Sequence, residues 1–153
     1  MREYDLAQLN IGRLVAPTDS PLVAEFMEAL DAVNALADES PGFVWRFQTD
    51  EGNATAERPF PDDTILVNFS TWTSVEALSD YVYRSVHAEY LRRRREWFER
   101  FEGVGIVLWW VPAGHRPTID EAIERLEQLR LIGPTPLAFT FRHRFEPDVE
   151  RPT

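Results

Sequence analysis

The chain has 153 residues, a net charge of −10 from 26 acidic against 16 basic side chains, and no cysteine. That length suits one domain, spanning 1–153 with an ordered core over about 5–147, and the acidic balance argues against nucleic-acid or anionic-membrane partners. Without thiols there are no disulfides, thiolate nucleophiles or thiolate metal sites, and with neither a signal-like N-terminus nor a run of eighteen apolar residues the expected location is cytoplasmic.

Leu6 to Val15 alternates, with Leu9, Ile11 and Val15 on one side and Gln8 and Asn10 on the other, as a buried strand does. Ala16-Pro17-Thr18-Asp19 turns the chain. Ser20 is a good N-cap with Pro21 behind it, and Leu22, Phe26, Leu30, Val33 and Leu36 then follow at helical spacing. Ser40-Pro41-Gly42 stops this helix. Phe43 to Thr49 is a second strand. Asp50 to Asp63 is acidic and aperiodic, a loop whose plainer reading is a solvated excursion and whose alternative is a lid. Ile65 to Trp72 is the third strand, with Ile65, Val67 and Phe69 on one face and Leu66, Asn68, Ser70 and Trp72 on the other.

Thr73-Ser74-Val75-Glu76 reads as a capping box opening a long helix, with Val75, Leu78, Val82, Val86, Tyr90 and Trp97 along one face. His87 falls on the shoulder of that face near Leu91 and Phe98, and Ser85 offers a break or a fresh cap. Arg92 to Arg95 point all round the helix, so the run is read as solvated surface rather than an anion site, offsetting the helix dipole. Val104 to Val111 is a fourth strand, apolar on both faces and in need of cover on both. Thr118 opens a second capping box, Ile119, Ala122, Ile123, Leu126 and Leu129 face inward, and Gly133-Pro134 ends the helix. Ala138 to Phe145 is expected as a last strand, with a frayed tail after Pro147.

The order βαββαβ plus an added αβ is the ferredoxin-like plan, an antiparallel α+β sheet with helices on one face. Its second face, being apolar, is expected to be sealed by a second copy of the chain, giving a homodimer.

Pro41-Gly42-Phe43 before the second strand, Trp72 before the capped helix and His87 within it resemble the dimeric α+β barrel superfamily, which includes antibiotic-biosynthesis-type monooxygenases and haem-degrading enzymes. More narrowly, Trp97-Phe98, then LWWVPAGHRPT, then the EA, RL and LR pairs before GPT and AFTF, is similar to a bacterial domain-of-unknown-function family of that superfamily, over roughly Asp5 to Pro147. The resemblance implies a small enzyme taking an apolar, aromatic or polyketide-like molecule. Its chemistry is cofactor-independent oxygenation or a related isomerase- or cyclase-type proton transfer. The matching catalytic set is Asn10, Asn68, Trp72 and His87. His87 acts as base, the two amides polarise the substrate, and Trp72, Trp109, Trp45, Leu91, Phe98 and His115 contact it. Haem held by His87 is the alternative, and a non-catalytic dimeric ligand-binding module the third reading. Each residue also has a plainer role: a histidine tying helix to sheet, amides satisfying one another, tryptophans filling the core. G-x-S-x-G, glycine-rich phosphate loops and H-x-x-x-H are all absent, so nucleophile-elbow, nucleotide and helix-borne metal chemistry are set aside.

Overall fold

The protein is described by a computed structural model covering residues 3–17, 19–47, 65–85, 87–99 and 105–147, without the side chains of Ile65 and His87. The expected loop 50–63 and the tail after Pro147 lie outside the described residues.

Strand β1 (Tyr4–Arg13) is followed by a 3₁₀ turn (Pro21–Val23) and helix α1 (Ala24–Glu39). Then come β2 (Phe43–Arg46), β3 (Ile65–Trp72), α2 (Val75–Arg84), α3 (His87–Arg92), α4 (Arg94–Trp97), β4 (Ile106–Pro112) and α5 (Ile119–Ile132). The sheet runs β2-β3-β1-β4 with every pair antiparallel, the ferredoxin-like α+β order. The caps act where the sequence put them, within a residue. Ser20 Oγ accepts from Leu22 N and Thr118 Oγ1 from Glu121 N, whereas α2 is capped by Ser74 rather than Thr73, its Oγ accepting from Ala77 N at 3.0 Å.

Because side chains alternate along a strand, register assigns them to faces. Leu6, Gln8 and Asn10 pair with Trp72, Ser70 and Asn68 and look toward α1 and α2, where Leu6, Trp72, Leu78, Tyr81, Leu108 and Phe139 form one core. Ala7, Leu9, Ile11, Val67, Phe69, Val107 and Trp109 look the other way, onto Ala122, Leu126 and Leu129 of α5. On β1 and β4 this cover comes from α5 of the same chain, whereas the expected source was a second copy.

Two further expectations change. The long helix breaks at Ser85, as the sequence offered, where Ser85 is extended with its hydroxyl on the Tyr81 carbonyl, and it breaks again, unexpectedly, at Arg93. The expected last strand meets the sheet at one residue only, where Phe139 and Leu108 exchange both backbone bonds at 2.8 Å. Phe141 and Phe145 then pack against the α2-side core as irregular chain. Their alternation reported burial, not pairing.

Gly42 ends the α1 turn at φ +85°, and a Cβ there would collide with Ala77 Cβ and lie 2.7 Å from Thr73 Oγ1. Strain and overpacking act together, so Gly42→Ala is expected to cost about 2–4 kcal/mol. A lower urea midpoint at unchanged m-value checks it.

Candidate active site

Helix α1 does not press onto the sheet along its length. Its one buried residue is Ala37, near its C-terminal end, while Phe26, Leu30 and Val33 stay half-buried. Beneath them the sheet presents Asn10 and Asn68, both solvent-accessible although they sit on the two central strands. The gap is a chamber of about 410 Å³. Asn10, Asn68, Gly12 and Leu66 form its floor, Phe26, Ala29, Leu30, Val33 and Asn34 one wall, and Tyr90, Leu91 and Phe98 the other. Arg46, Phe47, Arg94, Arg95 and Glu99, with Ile11, Val67 and Phe69 of the central strands, complete the lining. Gly12 matters because the Phe98 ring lies directly on it: a Cβ there would fall 2.9 Å from two ring carbons.

A polar ladder runs along this face of the sheet. Gln8 Nε2 donates to Asn68 Oδ1 and to Ser70 Oγ, each at 2.8 Å, and Trp72 Nε1 donates to the same Ser70 Oγ at 2.8 Å. An indole N–H only donates, so it fixes Ser70 Oγ as an acceptor. Gln8 is thereby held, and its donation occupies the Asn68 carbonyl oxygen. The Asn68 NH₂ is left facing the chamber beside Asn10, its cross-strand partner. Two adjacent amides with unspent hydrogen-bonding capacity suit the stabilisation of negative charge developing on a ligand oxygen.

The structure separates the remaining expected site residues. Leu91 and Phe98 line the chamber with Asn10 and Asn68. His87 opens α3, whose Tyr90 and Leu91 are chamber residues, but its side chain lies outside the described atoms. Trp72 is on the right face yet buried, stacked on Tyr81 and edge-on to Phe43, so it is not a chamber wall and reaches Asn68 only through Ser70 and Gln8. Trp109 is on the opposite face, fully buried under α5, with its indole N–H on Glu121 Oε2 at 3.2 Å. Trp45 packs edge-on to Phe69 on that same face. His115 is exposed beside Glu121, 3.1 Å away, remote from the chamber lining. Tyr81 donates to the Val33 carbonyl, and burial pushes its phenol well above the ordinary range, so it ties α2 to α1 as a neutral group.

Sequence reasoning missed Gln8 as the group that orients Asn68, though its place on the Asn10 side of the alternation was visible. It also missed the arginines. Arg93 is engaged by Glu25 and Glu96, whose carboxyls its hydrogen bonds hold below their usual range, and Arg92 pairs with Glu89. Arg94 and Arg95 instead line the chamber.

An antiparallel, ferredoxin-like α+β domain with a chamber between helices and sheet is the class that fold and site define. The chain belongs to the family described as Domain of unknown function (DUF3291), matched over residues 5–153. Among solved structures it is similar to SnoaB, a cofactor-independent oxygenase from Streptomyces nogalater, at 16% identity over 77% of this chain and 98% of that one, with a TM-score of 0.46. It is also similar to a candidate antibiotic biosynthesis monooxygenase from Nitrosomonas europaea, at 14% identity over 75% and 93% of the two chains, with a TM-score of 0.45. No curated protein matches the sequence. Among the described residues no helix is long and apolar enough to cross a membrane.

Proposed function

We propose that the protein is a small-molecule enzyme whose chamber takes an apolar, aromatic or polyketide-like substrate and catalyses proton abstraction followed by cofactor-independent oxygenation. The observation that carries this reading is the Asn10–Asn68 pair, accessible on the two central strands beside the buried Gln8–Ser70 ladder and roofed by half-buried aromatic and aliphatic side chains. Amides in an ordinary core position satisfy one another or cost about 1–3 kcal/mol each. Here one is held by Gln8 with its donor end toward empty space.

The chemistry follows from charge. A base removes an acidic C–H proton from a phenolic or enolisable ring system, and the enolate oxygen so formed gains from the amide donors below it. The electron-rich carbanion passes electrons to dioxygen, oxygen adds at that carbon, and loss of water leaves a ketone, so a methylene and O₂ become a carbonyl and H₂O. The base is assigned to His87, the first residue of α3 and one helical turn before the lining residues Tyr90 and Leu91. The reaction class comes from the resemblance of the sequence to the α+β barrel superfamily, and the amide positions come from the register.

Anthrone, with an acidic methylene flanked by two rings, is a suitable probe. Dioxygen consumption above the buffer rate is expected with the wild-type protein and is expected to fall to background in His87→Ala, with urea unfolding still cooperative. Undiminished turnover in that variant removes His87 from the role, and no turnover of enolisable aromatic substrates by the wild type removes the oxygenase reading.

A further inference from the structure

The four-arginine run divides into two pairs with different fates. Arg92 is paired with Glu89, and Arg93 with Glu25 and Glu96, so both belong to a neutralised surface. Arg94 and Arg95 line the chamber, and among the described residues neither has a carboxylate partner; Arg94 Nη1 donates to the Leu91 carbonyl at 3.0 Å. Arg46 also lines it, fixed by Asp38 at 2.8 Å. With Arg46 offset by Asp38, Glu99 is the one carboxylate among the described lining residues, against Arg94 and Arg95. In a chain with 26 acidic and 16 basic side chains this local excess is opposite in sign to the whole molecule. Arg94 and Arg95 stand beside an apolar wall of Phe26, Leu30, Leu91 and Phe98. Both side chains are exposed, so an acid whose apolar body covers that wall can bring its anionic end to them, and a guanidinium fork matches a carboxylate geometrically.

We propose that the chamber is specific for an amphipathic organic acid. The aromatic or polyketide body lies over Asn10 and Asn68 against Phe98 and Leu30, and a carboxylate or equivalent acidic group is met by Arg94 and Arg95. This deepens the enzymatic reading and rests on the same chamber. It also makes the two arginines positioning residues, because anchoring the acidic end sets which carbon of the ring system lies above the two amides.

The test uses two fluorescent probes that share an arylaminonaphthalene body, anilinonaphthalene sulfonate and its uncharged counterpart N-phenylnaphthylamine. They are titrated into the full chain and its folded variants. The wild type is expected to bind the sulfonate at least about tenfold more tightly than the neutral probe. Arg94→Gln combined with Arg95→Gln should abolish that preference while leaving neutral-probe affinity within about twofold, and Arg92→Gln, outside the chamber, should change neither. Leu30→Trp, which fills the chamber, should weaken both. An unchanged sulfonate preference in the double variant, or an equal effect from Arg92→Gln, overturns the acid inference while neutral-probe binding keeps the chamber reading alive. Absence of binding by both probes, or binding indifferent to Leu30→Trp, overturns the acid inference and the chamber reading together.

Discussion

Trp109→Ala is expected to lower the unfolding free energy by about 3–5 kcal/mol, the range for removing a buried aromatic side chain and leaving a cavity. Trp109 has no exposed surface, stacks on Phe69 at 6.2 Å between centroids, and is enclosed by the α5 layer of Ala122, Leu126 and Leu129. Its loss also strips Glu121 Oε2 of the indole donor, although His115 still contacts Oε1. Trp109→Phe keeps most of the packing and should cost roughly 1–2 kcal/mol, while Trp45→Ala, half-buried on the same face, should cost less than Trp109→Ala. Urea midpoints at constant m-value measure all three. The series also tests placement. With Trp109 on the α5 face, Trp109→Ala protein that is still folded should bind chamber ligands like the wild type; a substantial loss of ligand affinity at unchanged stability would return it to the chamber wall.

How much of this was legible beforehand depends on what kind of information a pattern carries. Alternation separated Gln8 and Asn10 from Leu9 and Ile11, and Asn68, Ser70 and Trp72 from Val67 and Phe69, so both faces of β1 and β3 were readable from the residues. Register then places Asn10 opposite Asn68, and the chamber floor follows. Trp109 and Trp110, being neighbours, had to face opposite sides, but which side held the chamber depended on pairing: Trp109 aligns with Ala7 and Trp110 with Leu6. One chain's pattern contains no register, and the choice of Trp109 as a wall failed there. Trp72 failed differently. It lies on the correct face, but at the end of the sheet where α2 sits close, and its large area is spent on Tyr81 and Phe43.

The apolar second face of β4 showed that cover was needed, not who supplies it. A twin and a helix from the same chain satisfy the same pattern, and α5 supplies cover over β1 and β4. Ser85 was legible as a break, but helical periodicity ran unbroken through Arg93, where the helix is interrupted again. These breaks let α3 and α4 turn Tyr90, Leu91, Arg94 and Arg95 toward the chamber. An arginine run on one straight helix is solvated all round. On a broken one it divides between surface and site.

Asn68→Ala is the substitution expected to weigh most on catalysis, lowering kcat on anthrone about 10²–10³-fold, as loss of one donor aimed at a developing oxyanion does. Stability should change by less than about 1 kcal/mol, because the side chain faces accessible space and Gln8 Nε2 keeps its bond to Ser70 Oγ. Asn68→Asp sharpens the test: it retains an acceptor for Gln8 but replaces the chamber-facing donor with negative charge, so it should be no more active than Asn68→Ala. Gln8→Leu removes the group that orients Asn68 and should lower kcat by a smaller factor, about tenfold, through misplacement of the donor. The split between constants decides the role. An interaction made only as charge develops lowers kcat and kcat/KM together, whereas one used equally for ground-state binding raises KM at constant kcat. If Asn68→Ala moves only KM, the amide is a binding contact, and charge stabilisation passes to Asn10 or to no amide at all.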